Sequence, residues 1–518
     1  MKSVMNHTFS QVPSANIPRS TFDRTHGYKT TFNAGLLVPF LVDEALPGDT
    51  FNVDVTAFAR LATPVAPIMD NMFMDTHFFA VPLRLVWDNW QRFCGEQSTP
   101  GASTDYVVPT MNSGATGGYA IGSVMDYMGI PTGVNNIEHS SLFFRAYNLI
   151  WNEWFRDQNI QEPITVDTDD GPDNINEYRF LQRRGKRHDY FTSCLPWPQK
   201  GDAVELPLGQ QAFLKTDGLK ASADELAIYD GAGVAVNMNL STNSVLAVQN
   251  GIFNASSEHL YADLSTATAA TINQLREAFQ IQKLLERDAR GGTRYVEIVK
   301  AHFGVVSPDA RVQRPEYLGG GTSPVNITPI AQTSSTDATT PQGNLAAMGT
   351  TTLKGHGFTK SFTEHCIIIG LVSVRADLTY QQGLDRMFSR QTRYDFYWPA
   401  LANLGEQAVL NKEIYAQGTS ADDDVFGYQE RYAEYRYKPS KITGQFRSTS
   451  GAPLDYWHLS QEFSVLPSLT SDFIQEDPPV DRVCAVPGEP HFLFDSFIRM
   501  KCARPMPIYS VPGLIDHF

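Results

Sequence analysis

Short segments in which apolar and polar residues alternate recur near both ends of this chain, and they constrain its fold more than any other feature. The clearest one, residues 51–60, has the sequence Phe-Asn-Val-Asp-Val-Thr-Ala-Phe-Ala-Arg and follows a Leu-Pro-Gly-Asp turn. A period of two is expected for a strand with one buried face. Further strands are predicted at residues 73–85, 366–374, 434–438 and 492–502. The Ile/Leu/Val run at 366–374 suits a strand buried on both faces.

Two helices are predicted between these strands. Residues 141–157 are apolar nearly all round, so this helix is expected to be buried or to lie at an interface. Residues 272–290 are the second predicted helix: Thr271 and Gln274 fit a capping box at its start, and Gly291 provides the stop after it. Early and late strands with long loops and helices between them favour one antiparallel β-sandwich or jelly roll with large insertions over repeated βαβ units.

The composition indicates a chain that is covered by other molecules. Charged residues are 19% of the 518 residues. Average soluble domains contain about 25%. Aromatic residues are 11% of the chain. Interface cores are poor in charge and rich in aromatic rings. Two nearly uncharged segments, 231–257 and 319–352, are expected to pack between copies, with a flexible surface loop as the alternative for the second.

The net charge and the cysteines exclude several protein classes. A net charge of −15 argues against a protein that coats nucleic acid with its whole surface, although local basic patches are compatible with it. Five distant cysteines without a Cys-x-x-Cys motif predict neither a disulfide framework nor a zinc site, and indicate a reducing compartment. No apolar run reaches the ~18 residues of a membrane span, so no membrane association is predicted.

Signatures of catalysis are missing or weak. The P-loop, nucleophile-elbow, zincin and dinucleotide-binding motifs are absent, so no catalytic residue, metal or cofactor is predicted. His365 and Cys366 are neighbours on a predicted strand and would point to opposite faces. The acidic segment 167–177 resembles a calcium loop, but its glycine and glutamate each fall one place early, so a solvated acidic turn is favoured.

Two segments mix basic and aromatic residues. In the first basic segment, Tyr178, Phe180, Tyr190 and Phe191 are interleaved with the cations Arg179, Arg183, Arg184, Lys186 and Arg187. Cations neutralise phosphates and aromatic faces stack on unpaired bases, so this mixture predicts contacts with single-stranded DNA. The second basic segment carries Arg431, Arg436, Lys438 and Lys441. For either segment alone, a solvated face or an interface that pairs with acidic residues is the alternative.

Long and unusual strings occur along nearly the whole chain: Leu-Leu-Val-Pro-Phe at 36–40, Leu-Pro-Gly-Asp-Thr-Phe at 46–51, Arg-Gly-Lys-Arg-His-Asp-Tyr at 184–190, Glu-Arg-Asp-Ala-Arg-Gly-Gly-Thr-Arg-Tyr at 286–295, Arg-Gln-Thr-Arg-Tyr-Asp-Phe-Tyr-Trp-Pro at 390–399 and the closing 502–518. In these strings the chain resembles the major capsid proteins of microviruses, of the gokushovirus type. The resemblance implies an eight-stranded antiparallel jelly roll of the viral capsid type, mainly β, with large loop and helix insertions. It also implies a T=1 icosahedral shell around a circular single-stranded DNA genome, formed in the cytoplasm of a bacterial host and present in the virion.

The resemblance further implies partners and a domain plan. The implied partners are other copies of the chain, the DNA genome, an internal scaffolding protein, a DNA pilot protein and a small basic DNA-associated protein. We expect an N-terminal arm at 1–35 and one jelly-roll domain at 36–518. Within that domain we expect a threefold protrusion at 204–270, a variable surface loop at 319–352 and an extended C-terminal arm at 503–518. The protrusion is a candidate for binding a host surface receptor.

A second functional class fits the same pattern. The aromatic content and the jelly-roll prediction are also compatible with a β-sandwich carbohydrate-binding module or enzyme. That alternative predicts a small oligomer that binds or hydrolyses glycans, whereas a shell protein predicts very large spherical particles.

Overall fold

The computed structural model describes residues 18–202, 204, 213–216, 226–229, 235–240, 246–249, 260–263, 272–292, 294–304, 313–336 and 341–509. The chain divides into two compact units, of which the first comprises Met1–Pro198 and Thr293–Phe518 and the second comprises Gln199–Gly292. No described helix is long and apolar enough to cross a bilayer.

The strands, in chain order, are β1 (Ser20–Asp23), β2 (His26–Phe32), β3 (Val38–Ala45), β4 (Thr50–Leu61), β5 (Met72–Pro82), β6 (Thr110–Asn112), β7 (Glu138–Ser140), β8 (Phe213–Thr216), β9 (Leu226–Tyr229), β10 (Ala235–Leu240), β11 (Leu246–Gln249), β12 (Leu260–Asp263), β13 (Glu316–Ala331), β14 (Leu345–Ser361), β15 (Cys366–Ala376), β16 (Thr379–Tyr380), β17 (Glu406–Leu410), β18 (Val425–Glu430), β19 (Ser440–Lys441) and β20 (Phe492–Arg504). The α-helices are α1 (Trp90–Phe93), α2 (Val124–Tyr127), α3 (Leu142–Ile150), α4 (Ile175–Tyr178), α5 (Ile272–Arg290), α6 (Tyr295–Phe303), α7 (Asn411–Ile414) and α8 (Ser471–Ile474).

One curled antiparallel sheet of nine strands organises the first unit, in the order β1-β20-β4-β14-β13-β5-β15-β3, with β2 also paired to β20. Strand β4 pairs with β20 from Phe492 to Ala503 and so occupies one whole edge of it. Strands β1 and β2 therefore follow one another along the opposite edge of β20. The nine strands fill eight positions, and the mainly β, antiparallel jelly-roll prediction is confirmed.

The alternation in the sequence matches the two faces of this sheet. Every second residue of β4, from Phe51 to Leu61, is buried, and the residues between them are exposed or half-buried. Strand β20 repeats this pattern from Phe492 to Cys502. Strand β15 is buried on both faces, as predicted. One of its faces, with Ile368 and Val372, joins the core inside the curl. The other face, with Ile367 and Ile369, joins a second core outside it.

Helix α3 covers the outside of the sheet at β5 and β15. Phe144, Tyr147 and Ile150 pack in the same core as Phe79 of β5 and Ile369 of β15. The predicted burial of helix 141–157 is confirmed, although the α-helix ends at Ile150 and continues as a π-helical turn, Trp151–Phe155. A third core, which includes Tyr190, Val409 and Phe473, lies under the loops that carry the basic segments.

Three predictions from the sequence are wrong in part. Most of the predicted surface loop 319–352 forms β13 and β14, two long strands in the middle of the main sheet. Its glycines suggest a loop, yet they are needed for close packing: a Cβ at Gly320 would lie 2.1 Å from the carbonyl oxygen of Thr76. The predicted arm 1–35 is in the sheet from Ser20 to Phe32, because β1 and β2 pair with β20. Residues 434–438 form no strand: Glu434 and Tyr435 are the last two residues of a 3₁₀ turn, Ala433–Tyr435.

The second unit contains helix α5 and two small sheets, β11-β10-β9 and β12-β8. Helix 272–290 is confirmed, while Thr271 of its predicted capping box lies outside the described residues. The predicted insertion 204–270 falls within this unit, and its role as a protrusion stays a prediction. In the predicted C-terminal arm, Ala503 and Arg504 belong to β20, and 510–518 lie outside the described residues.

Candidate nucleic-acid interface

The first basic segment follows α4 and is held on both sides by main-chain hydrogen bonds. Leu37 donates to the carbonyl of Gln182, and Arg184 donates to the carbonyl of Gly35. On the other side, Lys186 donates to the carbonyl of Ile474. The backbone between 182 and 186 is therefore fixed between two parts of the chain that are distant in sequence, which gives each basic side chain a defined direction.

Arg184 points inward and forms part of the core structure. Its Nη1 lies 2.6 Å from Oδ2 of Asp75, and Nε of Arg375 lies 2.9 Å from the same oxygen. Burial acts to raise the pKa of Asp75, but a hydrogen bond from Thr322 and the charges of both arginines outweigh burial and lower it. Because the Arg184 side chain is only 14% exposed, its charge neutralises Asp75 rather than a ligand.

Arg183 and Lys186 also have partners within the chain. Arg183 Nη1 donates to Oδ1 of Asp477 at 2.8 Å and to the carbonyl of Glu476 at 3.0 Å. Lys186 Nζ donates to Oε1 of Gln461 at 2.9 Å and lies 4.8 Å from the centre of the Phe473 ring. Burial lowers the pKa of Lys186. These two side chains therefore hold the loops around residues 461–477.

Arg179 and Arg187 are the two predicted cations of the first basic segment that face solvent. The guanidinium of Arg179 lies 4.5 Å from the centre of the Phe180 ring, which is 58% exposed. Arg187 is 60% exposed, and its closest carboxylate is that of Asp377 at 3.9 Å. The segment thus offers two cations and one aromatic ring to a ligand in solvent.

The other aromatic residues of this segment do not offer stacking surfaces, which corrects the sequence interpretation. Tyr178, Tyr190 and Phe191 are all buried. The hydroxyl of Tyr190 donates to Oε2 of Glu413 at 2.8 Å in the third core, and Phe191 packs beside it. Their apolar faces stabilise the fold instead of facing bases.

Three of the four cations of the second basic segment contact nearby carboxylates. Lys438 and Lys441 share the carboxylate of Asp385, with Nζ–O distances of 3.4 and 2.5 Å. Arg436 forms an ion pair with Glu430. Arg431 lies over the ring of Tyr432, 4.8 Å from its centre. The structure therefore places two carboxylates, those of Asp385 and Glu430, among four cations, so part of the positive charge of the segment remains.

An exposed aromatic loop, residues 391–400, lies beside the second basic segment and was not assigned a role from the sequence. All ten of its residues are exposed. Oδ2 of Asp395 accepts hydrogen bonds from the N–H groups of Thr392 and Gln391 at 2.7 and 3.0 Å. Nε1 of Trp398 donates to the carbonyl of Arg393 at 2.9 Å. The available signal was four aromatic residues within 394–398, a density that is unusual for a loop.

The acidic segment 167–177 is solvated in part, as predicted: the carboxylate of Asp169 is 78% exposed, whereas that of Asp173 is buried against the guanidinium of Arg145. Asp173 and Asp169 both contact the guanidinium of Arg145, and Asp170 accepts a hydrogen bond from Nε1 of Trp87 at 2.7 Å. Within the described part of the chain, no group of three or more His, Cys, Asp or Glu side chains is arranged to hold a metal ion. Cys366 is buried, which raises the pKa of its thiol to about 12.

Comparisons with known proteins cover nearly the whole chain. The family model described as "Capsid protein (F protein)" matches residues 10–514. The chain is 50% identical over 527 residues to "Capsid protein VP1" of Bdellovibrio phage phiMH2K, covering 99% of this chain and 98% of that protein. It is 46% identical to "Capsid protein VP1" of Chlamydia phage 1, covering 99% and 98% of the two chains. It is 39% identical to "Capsid protein VP1" of Spiroplasma virus 4, covering 98% and 97%.

Proposed function

Because the chain belongs to the capsid protein (F protein) family, as its full-length matches show, we propose that its copies form a T=1 icosahedral shell around a circular single-stranded DNA genome of a bacteriophage. Membership in this family makes it a structural protein of a homo-oligomeric shell and of the virion. The observation that carries the finer proposal is the 50% identity to a phage capsid protein over 99% of the chain.

The fold supports a structural role for the chain. A curled antiparallel sheet provides a rigid wall, and its loops leave many large apolar side chains exposed, among them Ile121 at 85% and Phe388 at 69%. Single exposed apolar residues are ordinary, but exposed apolar groups that recur over much of a surface are typical of interaction sites. Shell assembly covers such surfaces through many repeated contacts.

The proposed DNA contact consists of Arg179, whose guanidinium lies over the ring of Phe180, and Arg187. These cations point to solvent, whereas Arg183, Arg184 and Lys186 have partners inside the chain. Since the chain carries a net charge of −15, we expect the small basic DNA-associated protein to supply much of the remaining positive charge. An internal scaffolding protein and a DNA pilot protein are the other proposed partners, with assembly in the bacterial cytoplasm.

The proposed host-attachment surface is the predicted protrusion at 204–270, which falls within the second compact unit. An insertion that forms its own unit can vary without disturbing the main sheet, and recognition commonly resides in such segments. Deletion of residues 231–257 is expected to abolish adsorption to the host while particles still form. Adsorption that is unchanged by the deletion contradicts this role.

The shell proposal is tested by co-expressing the full chain with the scaffolding protein of the same phage. We expect megadalton spherical particles of uniform size in electron micrographs and in sedimentation. A product that remains monomeric, or a small oligomer that binds glycans saturably, contradicts the proposal and favours the carbohydrate-binding alternative.

A further inference from the structure

Five exposed rings lie on the aromatic loop and the adjacent 3₁₀ turn: Tyr394, Phe396, Tyr397, Trp398 and Tyr435, named here the aromatic face. Each residue is between 45% and 59% exposed. The ring of Tyr397 lies 6.2 Å from that of Tyr435. The carbonyl of Tyr394 accepts hydrogen bonds from Arg431 and from the hydroxyl of Tyr432. Because these contacts already order the loop, covering its rings costs little further conformational entropy.

Arginines are inserted between the rings of the aromatic face. The guanidinium of Arg390 lies 4.4 Å from the ring centre of Tyr435 and 5.4 Å from that of Phe396. Arg393 lies 5.5 Å from the ring centre of Tyr394 and 5.3 Å from that of Trp398. Aromatic residues and arginine are the residue types enriched in the centres of protein–protein contacts, while lysine and glutamate are depleted there. Residues 391–400 contain neither lysine nor glutamate.

The charge of the aromatic face favours a partner of opposite charge. Arg390 is neutralised by Glu434 at 3.2 Å, and the carboxylate of Asp395 is turned onto backbone N–H groups. Arg393 and Arg431 form no ion pair with the residues that the structure describes. The face is therefore locally positive on a chain whose net charge is −15. The rest of an identical copy consequently carries a net negative charge, which is complementary to this face.

A second copy fits the aromatic face better than DNA does. Four of the five rings already have a guanidinium over them, which reduces the ring surface that bases could stack on. Apart from Arg393 and Arg431, the nearby cations have carboxylate partners, whereas a DNA surface needs cations that are free to neutralise phosphates. We infer that the aromatic face is a contact between copies of this chain in the shell, covered by an acidic and apolar surface of the neighbouring copy; this inference rests on the proposed shell function.

The first test is hydroxyl-radical oxidation of the wild-type chain in three states: unassembled subunits, DNA-free shells and DNA-filled particles. If the inference is correct, Phe396 and Trp398 are oxidised less in DNA-free shells than in unassembled subunits. The decrease should be as large as the decrease in filled particles. Equal oxidation in subunits and in shells overturns it. Protection that occurs only in filled particles also overturns it and assigns the face to DNA.

The second test compares substitutions that remove or retain a ring. Trp398→Ser and Phe396→Ser are expected to raise the subunit concentration needed for assembly by about 30-fold or more, the effect of losing a residue at the centre of an interface. Trp398→Phe and Phe396→Tyr are the matched controls and should assemble near the wild-type concentration. Thermal melting of the unassembled variants at the wild-type temperature establishes that each one is folded. Folded serine variants that assemble like wild type overturn the inference.

The proposed shell function and the inferred contact between copies are contradicted by different results. A wild-type chain that forms no shells contradicts the proposed function and overturns this inference with it. Shells that form with the aromatic face still open to oxidation leave the proposed function in place and overturn the inference alone.

Discussion

The guanidinium of Arg145 on α3 and the carboxylate of Asp173 form an ion pair with both side chains shielded from solvent, at 0% and 1% exposure. Nε donates to Oδ2 at 2.7 Å, and Nη2 donates to Oδ1, so the pair is bidentate. Nη1 donates to the carbonyls of Val86 and Asp169. Arg145 thus fastens the acidic segment to the helix that covers the main sheet.

Replacing Asp173 by asparagine is expected to lower the free energy of unfolding by about 3–5 kcal/mol, because the charge of Arg145 would remain buried without its main partner. The measurement is denaturant unfolding of unassembled subunits. Asp495→Asn is the control, since its pair with Lys29 spans 3.7 Å with side chains 58% and 78% exposed. For an exposed pair of this kind a change of at most about 0.5 kcal/mol is expected. A similar loss in both variants would contradict the role assigned to the buried pair.

Gly320→Ala is expected to destabilise the main sheet by about 1–3 kcal/mol, because the new Cβ would meet the carbonyl oxygen of Thr76 and force β13 away from β5. Unfolding of the same subunits measures this loss. Gly451→Ala is the matched control, since no atom lies within 4 Å of the position that its Cβ would take. Stability equal to wild type in the Gly320 variant would show that the strands separate there without strain.

His77 is expected to make the subunit less stable in acid. Burial and the charge of Arg184 lower its pKa from 6.5 to about 4, partly opposed by Asp75. Below pH 6.5 the unfolded chain takes up a proton that the folded chain does not, so stability falls as the pH decreases towards the pKa of the folded state. The shift corresponds to about 3 kcal/mol over that window.

When the pH is lowered from about 7 to about 4, the free energy of unfolding of His77→Phe should therefore fall by about 3 kcal/mol less than that of wild type. Denaturant unfolding measures this difference. Phenylalanine retains an aromatic ring beside Phe79 and Phe155. His26→Phe is the control for the exchange of a histidine ring for a phenylalanine ring, because His26 is exposed. Parallel curves for His77→Phe and wild type would reject this source of acid sensitivity.

Replacing Arg179 and Arg187 together by glutamine is expected to weaken binding of single-stranded DNA and to reduce the slope of log K against log salt by about 1.4, for two lost phosphate contacts. Fluorescence anisotropy with an oligothymidine at several salt concentrations measures the slope. Lys438→Gln with Lys441→Gln should change it less, since both lysines contact Asp385. An unchanged slope for the arginine variant would remove the first basic segment from the DNA-facing surface.

The structure also changes which variants are informative. Exchanging all of Arg183, Arg184, Lys186 and Arg187 for glutamate would place a carboxylate beside the buried Asp75. Such a chain is expected to misfold, and the loss of DNA from its particles would carry no information about contacts. Restricting the change to Arg179 and Arg187 separates DNA binding from folding.

Local patterns were enough to predict much of the main sheet. Alternation in β4 and β20 and the continuous apolar run of β15 depend on residues one or two positions apart, so they are visible in the sequence. The loop prediction at β13 was wrong because it relied on composition: Gly319–Gly321 suggested a loop. In the structure, glycine there permits a close approach to β5.

The sequence alone determined the family, the antiparallel sheet and the buried covering helix, because strings and periodicities are properties of neighbouring residues. Only the tertiary structure decided which cations face solvent. Arg184 and Asp75 are far apart in the sequence but in direct contact, and a charge is neutralised by whatever lies next to it in space. The same holds for the aromatic loop: its rings are exposed because the fold leaves them uncovered, and burial depends on contacts between distant segments.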